Sequence, residues 1–394
     1  MFRFLFPMTC LALAPATVFA QDPQSLEDRV KELERKLAQQ PATNAATALN
    51  PTVTVVGNFL WRLDDKKVFV DGDPAEPRID DTFNVREVEL DLRSAIDPYA
   101  DGLFILAVES ESPGEFEVAV EEFVVTIKSL PFGFWETPPL ATKIRLGRMR
   151  VDLGRINKLH LHDLPQSRYG LTITDFLGEE GYVANGIATT SILGGFGEDD
   201  TLQLNLGAFQ GGGLEVAADE RVPALVSGLN WFADLGGGHS LDLGVTGHYG
   251  GTEKAGHQRH ATTVSLDALY KWKPAKQGEW NSFVLGFQVL RSDRTFIGGE
   301  AQPVGMLAWA QYQLDRRWYV GARYDRSDFI DDDELDHSRI TPYVSCYLSE
   351  FFRLRASAER TSSDLDEEDG LTTFLFEVNV IFGAHPPHPF WVNQ

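Results

Sequence analysis

From Pro51 onward, apolar and polar residues alternate through segment after segment, and this period constrains the fold more than any motif does. Leu241, Leu243, Val245 and Tyr249 oppose Asp242, Thr246 and His248. Val264, Leu266, Ala268 and Tyr270 oppose Thr263, Ser265, Asp267 and Lys271, and Phe374, Phe376, Val378, Val380 and Phe382 oppose Thr373, Glu377 and Asn379. A period of two describes a strand with one wet and one greasy face. Sixteen such segments can be counted between residues 51 and 382. Every second connection is short, as at Ile96–Ala100, Leu235–Gly238, Leu314–Arg316 and Ser349–Phe351. The others, Leu63–Phe83, Arg150–Gly181, Asp325–Ser338 and Thr361–Gly370, are longer and often acidic. Ser129–Leu140, which holds three prolines, is a long exception among the short ones. Short turns alternating with long loops are expected of an up-and-down transmembrane barrel, whose two ends face different compartments. The expected fold is therefore all-β, an antiparallel transmembrane β-barrel of about sixteen strands spanning 51–394, with both ends of the barrel on the short-turn, periplasmic side.

Aromatic residues sort to match. Trp272, Trp280, Trp318, Tyr347, Phe351 and Phe382 fall at expected periplasmic strand ends, and Trp61, Tyr182, Tyr249, Tyr324 and Phe374 at outer ends. Rings with a polar edge suit the headgroup level, so girdles at both interfaces are expected. No run of eighteen apolar residues follows residue 20, yet 43% apolar content, 35 glycines and 11% aromatics exceed the needs of a disordered chain. A barrel reconciles these facts, because only alternate residues must be apolar. The net charge of −23 excludes nucleic acid as a partner, since phosphates require basic patches.

The first fifty residues differ. Residues 1–20 read as a signal peptide: Arg3, an apolar stretch from Phe4 to Ala14, and Val18-Phe19-Ala20 before a cleavage point. The mature chain then keeps Cys346 alone, which excludes an internal disulfide and a CxxC metal site. Within residues 21–50, Leu26, Val30, Leu33 and Leu37 form an a/d seam over 24–38, and a polar small-residue linker follows. A short periplasmic coiled-coil helix is expected, with a homotrimer as its natural assembly. The stretch before Pro51 leaves room for a short helix and no TonB plug domain.

Residues 143–186 read KIRLGRMRVDLGRINKLHLHDLPQSRYGLTITDFLGEEGYVANG. Together with LRSAIDPYADGLF and VEEFVVTIKSLP upstream, this resembles porin-like outer-membrane proteins related to the phosphate-selective porin O/P class. Some members of that family carry the label zinc-regulated TonB-dependent outer-membrane receptor. The resemblance covers most of 51–394 and is most specific at Gly147, Gly154, Asn157, His160, His162, Pro165 and Gly178–Gly181. It implies a barrel with passive or receptor-like transport, and a long loop after the fifth strand that folds into the barrel.

That loop carries Arg155, Lys158 and Arg168, expected to set a constriction opposite the acids of the second strand. Fixed charges matter most where a lumen is narrowest. His160, His162 and Asp163 form a His-x-His-Asp run, whose imidazoles and carboxylate suit zinc or another divalent cation, although a structural or pore-lining role is the leading expectation for them. No other cofactor is expected. The wet faces give a candidate lumen: Glu87, Glu89, Asp91 and Arg93 on the second strand, Lys143 and Arg145 on the fifth, Asp242 on the ninth, Asp267 and Lys271 on the tenth, and Arg353, Arg355 and Glu359 on the fifteenth. An Arg facing lipid at mid-depth costs about 2–4 kcal/mol, so these charges must point inward. Both signs occur, unlike the basic ladder of a dedicated phosphate channel. There is no G-x-S-x-G motif and no compelling Ser-His-acid set, so an enzyme is not expected. The leading expectation is passive diffusion of small hydrophilic solutes or ions across an outer membrane. The alternatives are a receptor-like barrel that binds zinc or a metal complex, and a structural or adhesive barrel.

Overall fold

The computed structural model describes residues 51–67, 82–112, 115–210, 223–254, 257–274, 276–296, 299–365, 369–384, 389 and 391–392. The expectations for 1–20, for the helix at 24–38 and for the linker lie outside the described residues.

The chain builds an antiparallel barrel from β1 (Thr52–Asp64), β2 (Thr82–Asp97), β3 (Ala100–Ser112), β4 (Glu115–Ile127), β5 (Lys143–Arg150), β6 (Val183–Gly194), β7 (Asp200–Phe209) and β8 (Ala224–Gly236). It continues with β9 (His239–Lys254), β10 (His257–Trp272), β11 (Ser282–Phe296), β12 (Gly299–Ala301), β13 (Val304–Gln313), β14 (Trp318–Phe329), β15 (Asp332–Ser349), β16 (Phe352–Ser363) and β17 (Thr372–Gly383). β12 and β13 both pair with β11 and are one strand interrupted before Val304, which leaves sixteen barrel strands. Pro303 accounts for the break, because it has no N–H to offer the ladder. β1 pairs with β2 on one side and β17 on the other, so the sheet closes and no edge is left. A barrel of this strand number is wide enough to hold an aqueous channel.

The alternation sorts side chains as expected. Leu243, Val245 and Tyr249 point outward and are exposed, while Thr246 and His248 point inward and are buried. Trp61, Trp280, Trp318, Tyr324, Phe374 and Phe382 are also exposed on the outer surface. An apolar exterior of this extent suits lipid rather than water. Two expected girdle members are corrections. Tyr182 is buried edge-on against His248, and Tyr347 is buried against Tyr319. Both rings face the interior, where apolar packing claims them.

A third correction concerns the expected long loop Asp325–Ser338. β14 runs on to Phe329 and β15 begins at Asp332, so the connection is a tight hairpin stiffened by an Arg326–Asp336 ion pair. Beyond the lipid the outer face meets water, as at Arg326, while the inner face carries buried polar residues, Asp325, Ser327 and His337. The greasy face disappears, and alternation stops reporting a strand that is still there.

Two register shifts matter inside. Asn58 pairs with Glu87 but Phe59 with Val85, so β2 carries an extra residue at Arg86. Ile105 pairs with Glu122 but Leu106 with Val120, so β4 carries one at Glu121. A β-bulge lets two consecutive side chains share a face. Phe116, Val118 and Val120 are exposed below the second bulge and Phe123 above it, which turns both Glu121 and Glu122 inward. Arg86 and Glu87 are turned inward in the same way.

The buried apolar core of this molecule lies within the barrel. Val151, Leu153, Ile156, Leu164, Tyr169, Ile173, Phe176 and Leu177 of the Arg150–Gly181 loop pack with inward residues such as Leu290, Leu307 and Trp309. Trp391, beyond the last strand, joins them: Trp309 meets it edge-on at 5.9 Å, and Gln311 Nε2 donates to its carbonyl at 3.0 Å.

Candidate functional site

The site is built by the loop that leaves β5 and returns at β6. Asn157 closes its base. Its Nδ2 donates to the carbonyls of Val151 and Tyr182 at 2.7 and 3.0 Å, and its Oδ1 accepts from the Tyr182 N–H at 2.7 Å. Just before this clamp the chain turns at Gly154 (φ +77°), where a Cβ would collide with Gln288 and Ser265 of the wall. Only glycine combines that angle with so close an approach.

From there the loop crosses the interior and touches the wall at successive points. Ile156 N–H donates to Gln288 Oε1 at 3.2 Å on β11. Arg155 reaches Asp242 at 2.6 Å on β9 and Asp267 at 3.1 Å on β10. The carbonyls of His162 and Leu164 accept from Arg353 and Arg355 on β16, each at 2.8 Å. Both guanidiniums also hold Glu377 of β17, at 2.7 and 3.0 Å. Arg168 is ion-paired with Glu359, and its carbonyl accepts from Arg323 at 2.7 Å. The loop then forms α1 (Leu171–Leu177), whose Asp175 meets His337 of β15 at 2.6 Å.

The two histidines land on the bulged wall. His160 Nδ1 lies 2.6 Å from Glu121 Oε2, and its Nε2 lies 2.9 Å from Glu122 Oε1. His162 Nδ1 lies 3.2 Å from Glu89 Oε2, and the imidazoles stack with centroids 5.7 Å apart. Arg150 adds a guanidinium 3.2 Å from Glu121. Burial disfavours the imidazolium of His162, but the carboxylates of Glu89 and Asp163 outweigh it and hold its pKa at about 9. For His160, burial and Arg150 likewise oppose the charged form, and Glu89, Glu121 and Glu122 still raise its pKa well above the ordinary value.

The expected site residues thus fall into three sets. Glu87, Glu89, Arg353, Arg355 and Glu359 are inward, buried and covered by the loop. Arg145, Arg155, Lys158 and Asp242, joined by Asp152, which was not among the expected residues, keep between 13% and 35% of their side-chain exposure and form one cluster: Arg145–Asp152 at 2.7 Å, Lys158–Asp152 at 3.2 Å, and Arg155 on Asp242. Asp91 pairs with Arg93 at 2.6 Å, Lys143 stands exposed at the start of β5, and Lys271 is part-buried near the short-turn end.

Two expectations are corrected. Arg155 and Lys158 do not oppose the acids of β2; they face Asp152, Asp242 and Asp267, and the histidines take the place opposite β2. Asp163 is not the principal partner of the histidines: its Oδ1 is 3.7 Å from His162 and partly exposed, whereas strand glutamates approach closer. Sequence reasoning missed Glu121, Glu122 and Arg86. The available signal was the doubled polar pair in an alternating strand, Arg86-Glu87 and Glu121-Glu122, which marks a bulge.

No family model matches the chain. A protein of Aquifex aeolicus (strain VF5), described as uncharacterized, is 26% identical over 346 residues, which is 78% of this chain and 70% of that one. An anion-selective porin from Comamonas acidovorans superposes with TM-score 0.55 at 16% identity, over 84% of this chain and 99% of its own. The outer-membrane channel DcaP of Acinetobacter baumannii does so with TM-score 0.55 at 11% identity, over 85% and 97%. This chain has the porin fold. Within that fold, the inward loop leaves Arg353, Arg355 and Glu359 on β16 almost completely buried and Arg145 and Asp242 on β5 and β9 part-exposed.

Proposed function

We propose that the protein is an outer-membrane porin through which small hydrophilic solutes and ions diffuse passively, with the Arg150–Gly181 loop as its constriction. The observation that carries this reading is the part-exposed charged cluster of Arg145, Asp152, Arg155, Lys158 and Asp242, set where the loop meets β5 and β9. Charges kept in contact with water inside an otherwise packed barrel bias which ions pass. Both signs lie side by side, which favours weak ion preference over phosphate selectivity. Export by the segment 1–20, relation to the phosphate-selective porin O/P class, and a trimer helped by a periplasmic helix at 24–38 belong to the same proposal. They are supported by the sequence features above. Purified protein in a planar bilayer without added metal should give stable open conductance; folded protein that never conducts would contradict the reading. A second reading, a receptor-like barrel that holds a cation, is favoured by the His–carboxylate cluster.

A further inference from the structure

The contact between the loop and the bulged wall brings together more donor atoms than hydrogen bonding uses. Glu87 Oε2 is buried without a hydrogen bond, while Glu89 Oε2 and His162 Nδ1 are buried with an ion-pair contact to each other, on residues only 4%, 1% and 6% exposed. An unsatisfied buried polar atom is costly, more so when charged. Yet these atoms converge. Glu89 Oε2 lies 3.2 Å from His162 Nδ1 and 3.6 Å from His160 Nδ1. Glu87, Glu89 and His162 each offer a ligand atom within 4.8 Å of the others, and so do Glu89, Glu121 and His160.

A cation bound at about 2.0–2.2 Å by oxygen and nitrogen holds its ligand atoms roughly 3.0–3.6 Å from one another. The separations around Glu89 match that spacing. The surrounding charge also fits. Glu109 of β3, Glu122 of β4 and Glu180 of the loop stand by, while Arg150 is the guanidinium against Glu121. Imidazole nitrogen mixed with carboxylate oxygen, without thiolate, favours a borderline divalent transition cation over magnesium or calcium.

We propose that Glu87, Glu89 and His162, with Glu121 and His160 beside them, form a divalent transition-metal site of the zinc class that fastens the inward loop to β2 and β4. The ligands come from both partners of the contact. Binding therefore stabilises the docked loop by acting on that state alone. The site does not depend on whether the barrel conducts, because its test reads metal and not current.

The test uses the full-length barrel, folded and freed of metal by EDTA, titrated with cobalt(II) as an optical probe and then with zinc. The wild type should take up cobalt with visible d–d absorption that zinc displaces. Glu89→Gln and His162→Gln should each weaken binding by at least about tenfold, while Asp163→Asn should retain it. EDTA should lower the thermal unfolding temperature of the wild type and leave that of Glu89→Gln unchanged. If Glu89→Gln does not fold, His162→Gln decides. Folded wild type that takes up no cobalt or zinc, or uptake that survives both substitutions undiminished, would overturn the proposal and leave two imidazoliums held by carboxylates alone.

Discussion

The two walls of the interior use the same residue types to different ends. On β16 and β17, Arg353, Arg355, Glu359 and Glu377 are 8% exposed or less at the side chain: the two arginines end on loop carbonyls and on Glu377, and Glu359 holds the loop's Arg168. On β5 and β9, Arg145 and Asp242 keep 26% and 24% exposure and share partners with the loop's Arg155, Lys158 and Asp152. Alternation alone makes both sets inward. What separates them is the path of the loop. Where it lies over β16 and β17 the charges are buried; where it meets β5 and β9 they keep part of their exposure.

The largest effect should come from breaking the covered wall. Glu377→Leu removes the carboxylate shared by Arg353 and Arg355 and leaves two buried guanidiniums short of a partner. A cost of about 3–5 kcal/mol is expected, measured by urea unfolding of the folded barrel. Single-channel conductance should rise as the loop loosens. A loss below about 1 kcal/mol would mean that this wall is not structural.

Next in size is the clamp. Asn157→Ala deletes three hydrogen bonds at the base of the loop and takes away the partner of the Tyr182 N–H, while the Val151 and Tyr182 carbonyls keep backbone donors. It should destabilise by about 2–3 kcal/mol and make the loop a site of limited proteolysis. Gly154→Ala forces a positive φ on an L-residue and a clash with Gln288, for about 1–3 kcal/mol in the same assay.

How much of this was legible beforehand follows from what each feature does to the pattern. The sixteen strands were readable because lipid on one face and water or protein on the other impose a period of two. The strand ends beyond the lipid were not: Phe329 and Asp332 bound a hairpin whose arms are polar on both faces, wet outside and buried inside. The inward orientation of Glu87, Glu89, Arg353 and Arg355 was readable for the same reason. Their pairing was not, because alternation gives a face and never a distant partner. His160 and His162 were singled out as donors, but their true neighbours Glu121 and Glu122 share a face only through a bulge. A bulge is a register fact, visible in one strand as no more than a doubled polar residue.

Where the loop faces β5, β9 and β10 the effect should be on selectivity. Arg155→Gln with Lys158→Gln removes two positive charges and leaves Asp152, Asp242 and Asp267. The reversal potential under a salt gradient should shift toward cations while the barrel stays folded. An unchanged potential would place the loop outside the conduction path. The smallest effect belongs to the rim. Breaking the exposed Arg326–Asp336 pair with Arg326→Gln should change stability by about 0–1 kcal/mol and leave selectivity alone.

The division between walls is tested most directly by a charged, membrane-impermeant thiol reagent applied to single channels, with Cys346→Ala as background. Lys158, on the loop where it faces β5 and β9, keeps 35% side-chain exposure, and Ser345 is 2% exposed beneath the loop. Lys158→Cys should be modified with a stepwise change in current, and Ser345→Cys should stay inert until the protein is unfolded. Rapid modification of Ser345→Cys in the open channel, with Lys158→Cys silent, would contradict the account.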